Sequence, residues 1–457
     1  MSKWRAALMA AAVAALFEGA IRKWILPQGQ EIVYFLKDLF LLGAYVRFFL
    51  FPDQSIRNLK VAGPITILGM VAFLVGLSAL NPNIGSIAVA AFGLKTYLFY
   101  IPMAFMVPHL FRNEDDMAKK LSWFVLLAIP ICLLGVLQFF SPAFSTLNVY
   151  AHEAGTAVDE MHVDVIGGDH ARITATFSYI SGMVTFVVLF TGLAMALLLT
   201  PNARFRPVIM FVVLPLLASN AMMSGARAAV LGQGLCLAGF VWSSMTTRLS
   251  VRSAFITTSL AVLVILGSSV FIFKDALGAF LGRSVSHDAR VELSERLKRP
   301  ITTISQGLDS SNDYMGYGIG TTHPAAESVR SFLHQPEPHK RPPYTESEVA
   351  QIATELGAIG FFAWYFLRCF LVVDTWRRMN ASPVGFYKTM SLACLSYQLI
   401  HLNVQMVFNH TSNFFFWALY GLVLTHATKS RVYHRPRQEV RTFKERQLAP
   451  QPAYRGR

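Results

Sequence analysis

Long runs of apolar residues constrain the fold of this chain more than any other feature. The segments 205–217, 254–273 and 359–373 hold few or no charged residues. A helix needs about 20 mostly apolar residues to cross the hydrocarbon core of a bilayer. Because lipid offers the backbone no hydrogen-bond partner, a crossing segment forms a helix or part of a closed barrel. These runs are continuous rather than alternating, so they predict transmembrane helices.

The amino-acid composition supports the same conclusion. Hydrophobic residues make up 54% of the 457 residues and charged residues only 14%, whereas a soluble domain carries about 25% charged residues. So few charges cannot cover a soluble surface of this size, which excludes a soluble globular protein. We therefore predict an all-α, polytopic integral membrane protein with about twelve transmembrane helices. The predicted spans are 6–20, 31–51, 61–80, 86–107, 121–141, 177–199, 206–222, 227–245, 253–273, 351–373, 386–406 and 411–428.

The positions of Lys and Arg predict the orientation of these helices. They cluster in the short loops after the even-numbered spans and in the segment 431–457. By the positive-inside rule, these loops and both termini lie in the cytoplasm. The apolar run after Lys3 and Arg5 resembles a signal peptide, but this orientation favours an uncleaved first helix. The chain then divides into a helical domain, 1–430, and a basic cytoplasmic tail, 431–457. The net charge of +14 is mostly this orientation signal, so we expect no nucleic-acid partner.

Two long polar segments fall on the opposite, periplasmic side. They are 142–176 and 274–350, and the second lies between helices 9 and 10. Polar loops of this length are functional or disordered. Two interpretations stay open: they cover a periplasmic active site, or they are flexible connectors.

Several cations lie where the bilayer or its periplasmic surface is predicted. An ionisable group at membrane depth costs roughly 2.5–3.5 kcal/mol on insertion scales, so such groups face a protein interior or a wet cavity. Together they favour an anionic ligand such as a phosphate group, which arginine binds through two oxygens. Snorkelling or local ion pairs are the alternative, since Glu18 lies one helical turn before Arg22 and can pair with it. The cations are Arg22, Lys23, Lys37, Lys95, Arg172 and Arg227.

Signatures of metal and nucleotide sites are missing from the sequence. It has no phosphate-binding loop ending in Lys-Ser or Lys-Thr, no His-Glu-x-x-His and no Cys-x-x-Cys. We therefore expect no cofactor and no metal ion. The glycine-rich segment Gly316–Gly320 follows no predicted strand, so it predicts a tight turn with close backbone approach rather than a nucleotide site.

Four short pieces follow one another in a fixed order. They are 172–182, which enters a span; 224–229, Ser-Gly-Ala-Arg-Ala-Ala; Gly316–Gly320, after a long loop; and 355–360, Glu-Leu-Gly-Ala-Ile-Gly. In order, spacing and membrane side, they resemble the O-antigen ligase and polymerase family of bacterial envelope enzymes (the WaaL and Wzy type). The resemblance covers about Arg172 to Gly360.

The resemblance implies an all-helical, GT-C-like glycosyltransferase of the bacterial inner membrane that needs no metal. Such enzymes transfer a glycan from undecaprenyl diphosphate to an acceptor hydroxyl on the periplasmic side. Ligases of the family carry a His-Asn pair nine residues before the Glu-Leu-Gly motif, where this chain has Glu346. The departure puts transfer to lipid A-core in doubt and favours a polysaccharide polymerase or a ligase with another acceptor. The implied partners are an undecaprenyl-diphosphate-linked glycan, membrane lipid and a chain-length regulator.

The site expected from this resemblance pairs cations with a carboxylate. We assign Arg172 and Arg227 to the diphosphate, and Glu346 to the general base that accepts the proton of the attacking hydroxyl. Arg227 also counts as catalytic because its charge would stabilise the leaving diphosphate. A lipid-linked glycan transporter or flippase is the competing hypothesis, although the chain shows no internal repeat. The lesser candidates are Lys95, Arg290 and Arg296 for the diphosphate and Glu348 for the base.

Overall fold

The described part of the chain is almost entirely helical. The computed structural model describes residues 3–52, 63–151, 163, 165–166, 170–200, 203–246, 251–285, 302, 315–323, 325–335, 338, 341–343, 347–383 and 385–433. Within these residues the strands are Val165–Ile166 and His170–Ala171, which pair antiparallel. The predicted cytoplasmic tail lies outside the described residues beyond residue 433.

The helices follow the apolar runs. Their bounds are Lys3–Ala20, Gln30–Tyr34, Leu36–Tyr45, Ile65–Ser78, Ile87–Leu98, Met103–Met106, Glu114–Leu126, Ala128–Phe140, Ile180–Leu198, Arg206–Val208, Leu214–Met223, Arg227–Thr246, Val251–Gly267, Lys274–Val285, Ala325–Phe332, Glu348–Ala381, Phe386–Ile400 and His410–Tyr433. Wider π-helical turns continue or join some of them at Ile21–Ile25, Val46–Leu50, Ile209–Val213 and Ser268–Ile272, and short 3-10 turns lie at Pro27–Gly29, Pro82–Ile84 and Val107–His109.

Six helical segments of the described residues are long and apolar enough to cross a membrane. A seventh is added if Ile256–Ile272 and Lys274–Gly282, which meet at 88°, form one broken span. Ile65–Ser78 is apolar but shorter. Helices thus lie at all twelve predicted positions. The length and composition of the described helices support six or seven membrane spans. That the protein has twelve spans stays a prediction. The six are Lys3–Ile25, Ile87–His109, Glu114–Phe140, Ile180–Leu198, Arg206–Met223 and Glu348–Ala381.

The helix Glu348–Ala381 reverses direction at Gly357. In a straight helix Glu348 and Arg368 would lie about 30 Å apart, since each residue rises about 1.5 Å. Instead, Nη1 of Arg368 donates to Oε1 of Glu348 across 2.9 Å. Gly357 breaks the helix with a φ of 64° and a ψ of −173°, a conformation that glycine adopts without steric cost.

This reversal changes the predicted span 351–373. Its first turns belong to a short segment, 348–356, that folds back on the remainder. The remainder, 358–381, is about 36 Å long and can cross a bilayer. Irregular backbone at membrane depth is tolerated where protein surrounds it, and the first segment is mostly buried.

Candidate active-site cavity

A cavity of about 750 Å³, lined by both apolar and polar side chains, opens among the ends of several helices. We call the end of the bundle at which the helix Lys3–Ile25 finishes the upper end, and this space the upper cavity. Segments predicted to reach the same side of the membrane meet there. They include the end of the first span and the starts of the second, sixth, tenth and twelfth. The polar residues that line the cavity include Glu18, Arg22, Tyr34, Lys37, Ser178, His323, Gln351, Gln405, Asn409 and His410.

Charged side chains of the first two predicted spans form one wall of the upper cavity. Nζ of Lys37 donates to Oε2 of Glu18 over 2.7 Å. Arg22 donates from Nη1 to the hydroxyl of Ser178 over 3.0 Å, and its guanidinium lies over the ring of Tyr34. The expected local pair of Glu18 with Arg22 is therefore replaced by an ion pair between two helices.

The guanidinium of Arg22 retains capacity for a ligand. Its Nε is buried and has no hydrogen-bond partner among the described residues. Burying an N–H without a partner costs about 1–3 kcal/mol. Arg22 thus carries an N–H donor without a described partner beside the cavity that it lines.

A second charged network lies behind His410. Nζ of Lys95 lies 2.8 Å from Oδ2 of Asp38 and 2.9 Å from Nδ1 of His410. The hydroxyl of Tyr100 donates to Oδ1 of Asp38 over 2.6 Å, and the hydroxyl of Tyr34 hydrogen-bonds to the His410 ring. Because an ammonium group only donates, the lysine fixes Nδ1 of His410 as an acceptor. Lys95 does not line the cavity itself, but it orients His410, whose imidazole does.

The Gly316–Gly320 turn packs against the reversal at Gly357. Its second and third N–H groups donate to the carbonyl oxygens of residues 354 and 355 over 2.9 Å each. A Cβ on Gly316 would lie 2.5 Å from the backbone nitrogen of Gly357, and its φ is 67°. The predicted tight turn with close backbone approach is confirmed.

Glu355 anchors the chain that follows this turn. Its Oε1 accepts from the N–H and the hydroxyl of Thr322 over 2.8 Å each, and its Oε2 accepts from the hydroxyl of Tyr97 over 2.9 Å. The next residue, His323, is thereby held at the cavity wall with its ring stacked 5.5 Å from that of His410. Burial lowers the pKa of His323 to about 3, so this ring is neutral.

Glu348 anchors the opposite wall. Its Oε1 pairs with Arg368 over 2.9 Å, and both side chains are 2% exposed. Its Oε2 accepts three successive backbone N–H groups of the 406–408 turn over 2.5, 2.7 and 3.4 Å. This turn leads directly into Asn409 and His410, so the buried carboxylate positions two cavity-lining residues.

Arg172 and Arg227 belong to segments that the structure brings together. Nε of Arg172 donates to the carbonyl oxygen of Ser224 over 3.3 Å. Ser224 lies three residues before Arg227, the first residue of the helix Arg227–Thr246. Neither arginine lines the upper cavity. The run from Arg172 to Ser178 spans at most about 20 Å. Because Ser178 lines the upper cavity, Arg172 lies within that distance of it.

The remaining predicted site residues divide into two groups. Glu346, Arg290 and Arg296 lie outside the described residues. Glu348 is described, but an arginine and three backbone N–H groups already occupy its oxygens. We therefore assign Glu348 a structural role rather than that of the base.

His410 is a cavity residue that was not predicted from the sequence. It lies just before the predicted span 411–428, so the sequence alone predicts an ordinary loop residue. The one available signal was the polar pair Asn409-His410 directly before a long apolar run. By contrast, Lys37 and Lys95 interrupt apolar runs, and their charges did indicate a polar site.

The helices and the upper cavity define a polytopic membrane protein with a large cavity among its helix ends. Residues 212–365, about a third of the chain, match the family model for O-antigen ligase. The match confirms the predicted resemblance to the O-antigen ligase/Wzy-type family over these residues. It supports an O-antigen ligase- or polymerase-like function in general and implies a lipid-linked glycan as substrate. Comparison with curated proteins gives no match.

Proposed function

We propose that the protein polymerises lipid-linked polysaccharide repeat units in the upper cavity, at the periplasmic face. The bond between the sugar anomeric carbon and the diphosphate oxygen of the donor breaks. A new bond forms between that carbon and a hydroxyl oxygen of the acceptor sugar, whose proton passes to a base. The observation that carries this proposal is the cavity itself, where two cations, a carboxylate and neutral hydrogen-bonding groups face one space of about 750 Å³.

The donor needs positive charge at its leaving group. Negative charge grows on the diphosphate as the bond breaks, and a preorganised cation stabilises it most effectively in a site shielded from water. Arg22 fits because its guanidinium is held by Ser178 and keeps a buried N–H without a partner among the described residues. Lys37 lies on the same wall, where its ammonium is paired with Glu18.

The acceptor needs a base and an orientation. Glu18 is a described carboxylate of the cavity wall, and its Oε2 is fixed by Lys37. Its Oε1 is the oxygen we propose to accept the acceptor proton. Glu346, predicted for this role from the resemblance, is the second candidate. Asn409 and the neutral His323 supply hydrogen-bonding groups of the kind that orient sugar hydroxyls.

Arg172 and Arg227 stay proposed ligands of the anionic part of the substrate. Their segments are joined near Ser224, at one end of the run that leads to Ser178. A diphosphate shared between this position and Arg22 would be neutralised from two sides. Lys95 contributes indirectly by orienting His410, and Arg290 and Arg296 remain proposed ligands on the strength of the sequence alone.

Two other functions differ from the proposed one in the acceptor or in whether a glycosidic bond forms. A ligase would transfer the same donor to another acceptor, and the glutamate at 346 in place of the family histidine is our reason to prefer a polymerase. A flippase would bind the same donor but form no glycosidic bond.

Arg22→Gln tests the proposal. We expect glycan transfer to fall by about 10²-fold, the usual effect of losing one preorganised charge-stabilising group. The matched control is Arg112→Gln, since Arg112 is exposed and predicted to be cytoplasmic. The assay is polysaccharide chain length in a deletion strain carrying each variant at equal membrane abundance. Wild-type chain length with Arg22→Gln would remove the upper cavity as the site of transfer.

A further inference from the structure

A second pocket, of about 190 Å³, lies far from the upper cavity. It is formed by three helices, Arg227–Thr246, Glu348–Ala381 and Phe386–Ile400. Trp376, one of its lining residues, lies about 28 Å along the helix beyond the reversal at Gly357. We call this end of the bundle the lower end and this space the lower pocket. The charge pattern of the sequence predicts that the lower end faces the cytoplasm.

Two of the three helices run antiparallel beside the lower pocket. A Cβ on Gly232 would lie 3.2 Å from Cδ1 of Ile400, and a Cβ on Gly239 would lie 3.4 Å from the hydroxyl oxygen of Ser396. Later positions of the first helix therefore contact earlier positions of the second. Both helices thus contribute residues to the pocket in the same order of depth.

The lower pocket is polar at one end and apolar at the other. Ser243 and Lys388 line its lower end, Leu235 and Leu399 line its inner end, and Ser396 adds one hydroxyl between them. Lys388 and Leu399 are about 16 Å apart along their helix, and Ser243 and Leu235 about 12 Å along theirs. The hydrocarbon of one leaflet is about 15 Å thick, half of the bilayer core. The pocket therefore extends over most of one leaflet.

The lower pocket opens to the outside of the bundle. The exposed fractions of four lining side chains are 66% for Trp242, 47% for Trp376, 43% for Leu235 and 39% for Leu399. In a chain that crosses a membrane, these surfaces face lipid. Tryptophan is enriched at the level of the lipid head groups, and both tryptophans lie toward the polar end of the pocket. A lipid can therefore enter from the side.

Lys388 gives the polar end a positive charge. In the described part of the chain, no carboxylate forms an ion pair with it. Asn380 also lines this end and supplies an amide group. The exposed Arg377 lies one turn before Asn380 on the same helix, so a second cation borders the pocket. Basic pockets between membrane helices on the cytoplasmic side recognise anionic head groups.

We infer that the lower pocket binds an anionic phospholipid of the leaflet at this end. Its phosphate lies at Lys388, and one acyl chain follows the apolar lining past Leu235 and Leu399. One bound lipid then bridges the ends of three helices. The site is independent of the proposed glycan transfer, which takes place at the opposite end of the bundle.

Photo-crosslinking to the full-length protein tests this inference. The probe is phosphatidylglycerol with a diazirine near the middle of one acyl chain, in liposomes of phosphatidylethanolamine. We expect labelled peptides from 235–243 and 392–399, and loss of this label with excess unlabelled phosphatidylglycerol but not with excess phosphatidylcholine. Label confined to other segments would overturn the inference. Equal displacement by the two lipids would also overturn it, by showing a general lipid crevice.

A matched pair of lysine substitutions tests the role of the charge. Lys388→Gln should lower the labelling about fivefold, the effect of losing one cationic contact with an anionic head group. The control is Lys119→Gln, since Lys119 is exposed, is predicted to lie on the same side of the membrane and does not line the pocket. Lys388→Arg keeps the charge and should keep the label. Equal labelling of Lys388→Gln and Lys119→Gln would contradict the inference.

Thermal unfolding in detergent tests whether the lipid bridges the helices. A ligand that binds only the folded protein raises the unfolding midpoint. Added phosphatidylglycerol should therefore raise the midpoint of the wild type and of Lys119→Gln, and raise that of Lys388→Gln much less. The same rise in all three proteins would show that the lipid acts elsewhere and would refute the assignment to the lower pocket.

Discussion

The buried pair of Glu348 and Arg368 gives the sharpest test of how the cavity is built. Both side chains are 2% exposed, so water cannot compensate either charge. Oε1 of Glu348 pairs with Arg368, and Oε2 accepts three backbone N–H groups of the 406–408 turn. By contrast, Nε and Nη2 of Arg368 are buried without hydrogen-bond partners among the described residues. Removing Glu348 would therefore leave the charge of Arg368 less compensated than removing Arg368 would leave the charge of Glu348.

This difference between the two side chains determines how much unfolding free energy each substitution should cost. Glu348→Gln leaves a buried guanidinium without its counter-charge, which costs about 3–5 kcal/mol of unfolding free energy. Arg368→Met leaves a carboxylate that keeps its three N–H donors, so we expect about 2 kcal/mol, the value of one charged hydrogen bond. The double variant should cost clearly less than the sum, because neither charge is then left alone.

The assay is equilibrium unfolding in mixed micelles of dodecyl maltoside and SDS, followed by far-UV circular dichroism. The four proteins of the cycle are compared at one pH and one micelle composition. Two results would refute the reasoning: Glu348→Gln within about 1 kcal/mol of wild type, or single effects that add without coupling. Either would mean that the pair does not hold the turn before His410.

Three further predictions concern the turn and its neighbours. Gly357→Ala should destabilise the fold by about 1–3 kcal/mol, because alanine is strained at a φ of 64°. The control is Gly69→Ala, since Gly69 lies within a helix and a Cβ there would meet open space. This control should be neutral or stabilising by up to about 1 kcal/mol. Gly316→Ala should displace the turn, because its Cβ would lie 2.5 Å from backbone atoms, and limited proteolysis near His323 should detect this. Burial lowers the pKa of His323 from 6.5 to about 3, so it contributes stability that is present above pH 6.5 and lost as pH falls toward 3; thermal unfolding of His323→Gln should show a weaker pH dependence in that range.

The sequence predicted helices wherever a bilayer leaves the backbone no alternative. The apolar runs and the helices coincide because satisfying N–H and C=O groups within one segment is a local requirement. The Gly316–Gly320 turn was also predictable, since closely spaced glycines indicate positive φ angles and close backbone approach. Lys37 and Lys95 were visible as charged interruptions of apolar runs, which indicated a site without showing its partners.

The cavity itself was not predictable, because its residues come from segments far apart in the chain. Glu348 reaches Arg368 only because the helix reverses at Gly357, and a periodic apolar pattern does not encode a reversal of direction. His410 became a site residue through Lys95, 315 residues away. Pairings of this kind depend on tertiary packing, so the charge pattern predicted a side of the membrane but not the partners.

The most direct test of the central claim is product formation by the purified protein. It would be reconstituted into liposomes with a lipid-linked repeat unit as the only substrate, and both glycan length and freed polyprenyl diphosphate would be measured. We predict longer lipid-linked glycans, with one polyprenyl diphosphate released for each new glycosidic bond, and loss of both signals with Arg22→Gln. Movement of the donor between leaflets with no new bond and no released diphosphate would contradict the account.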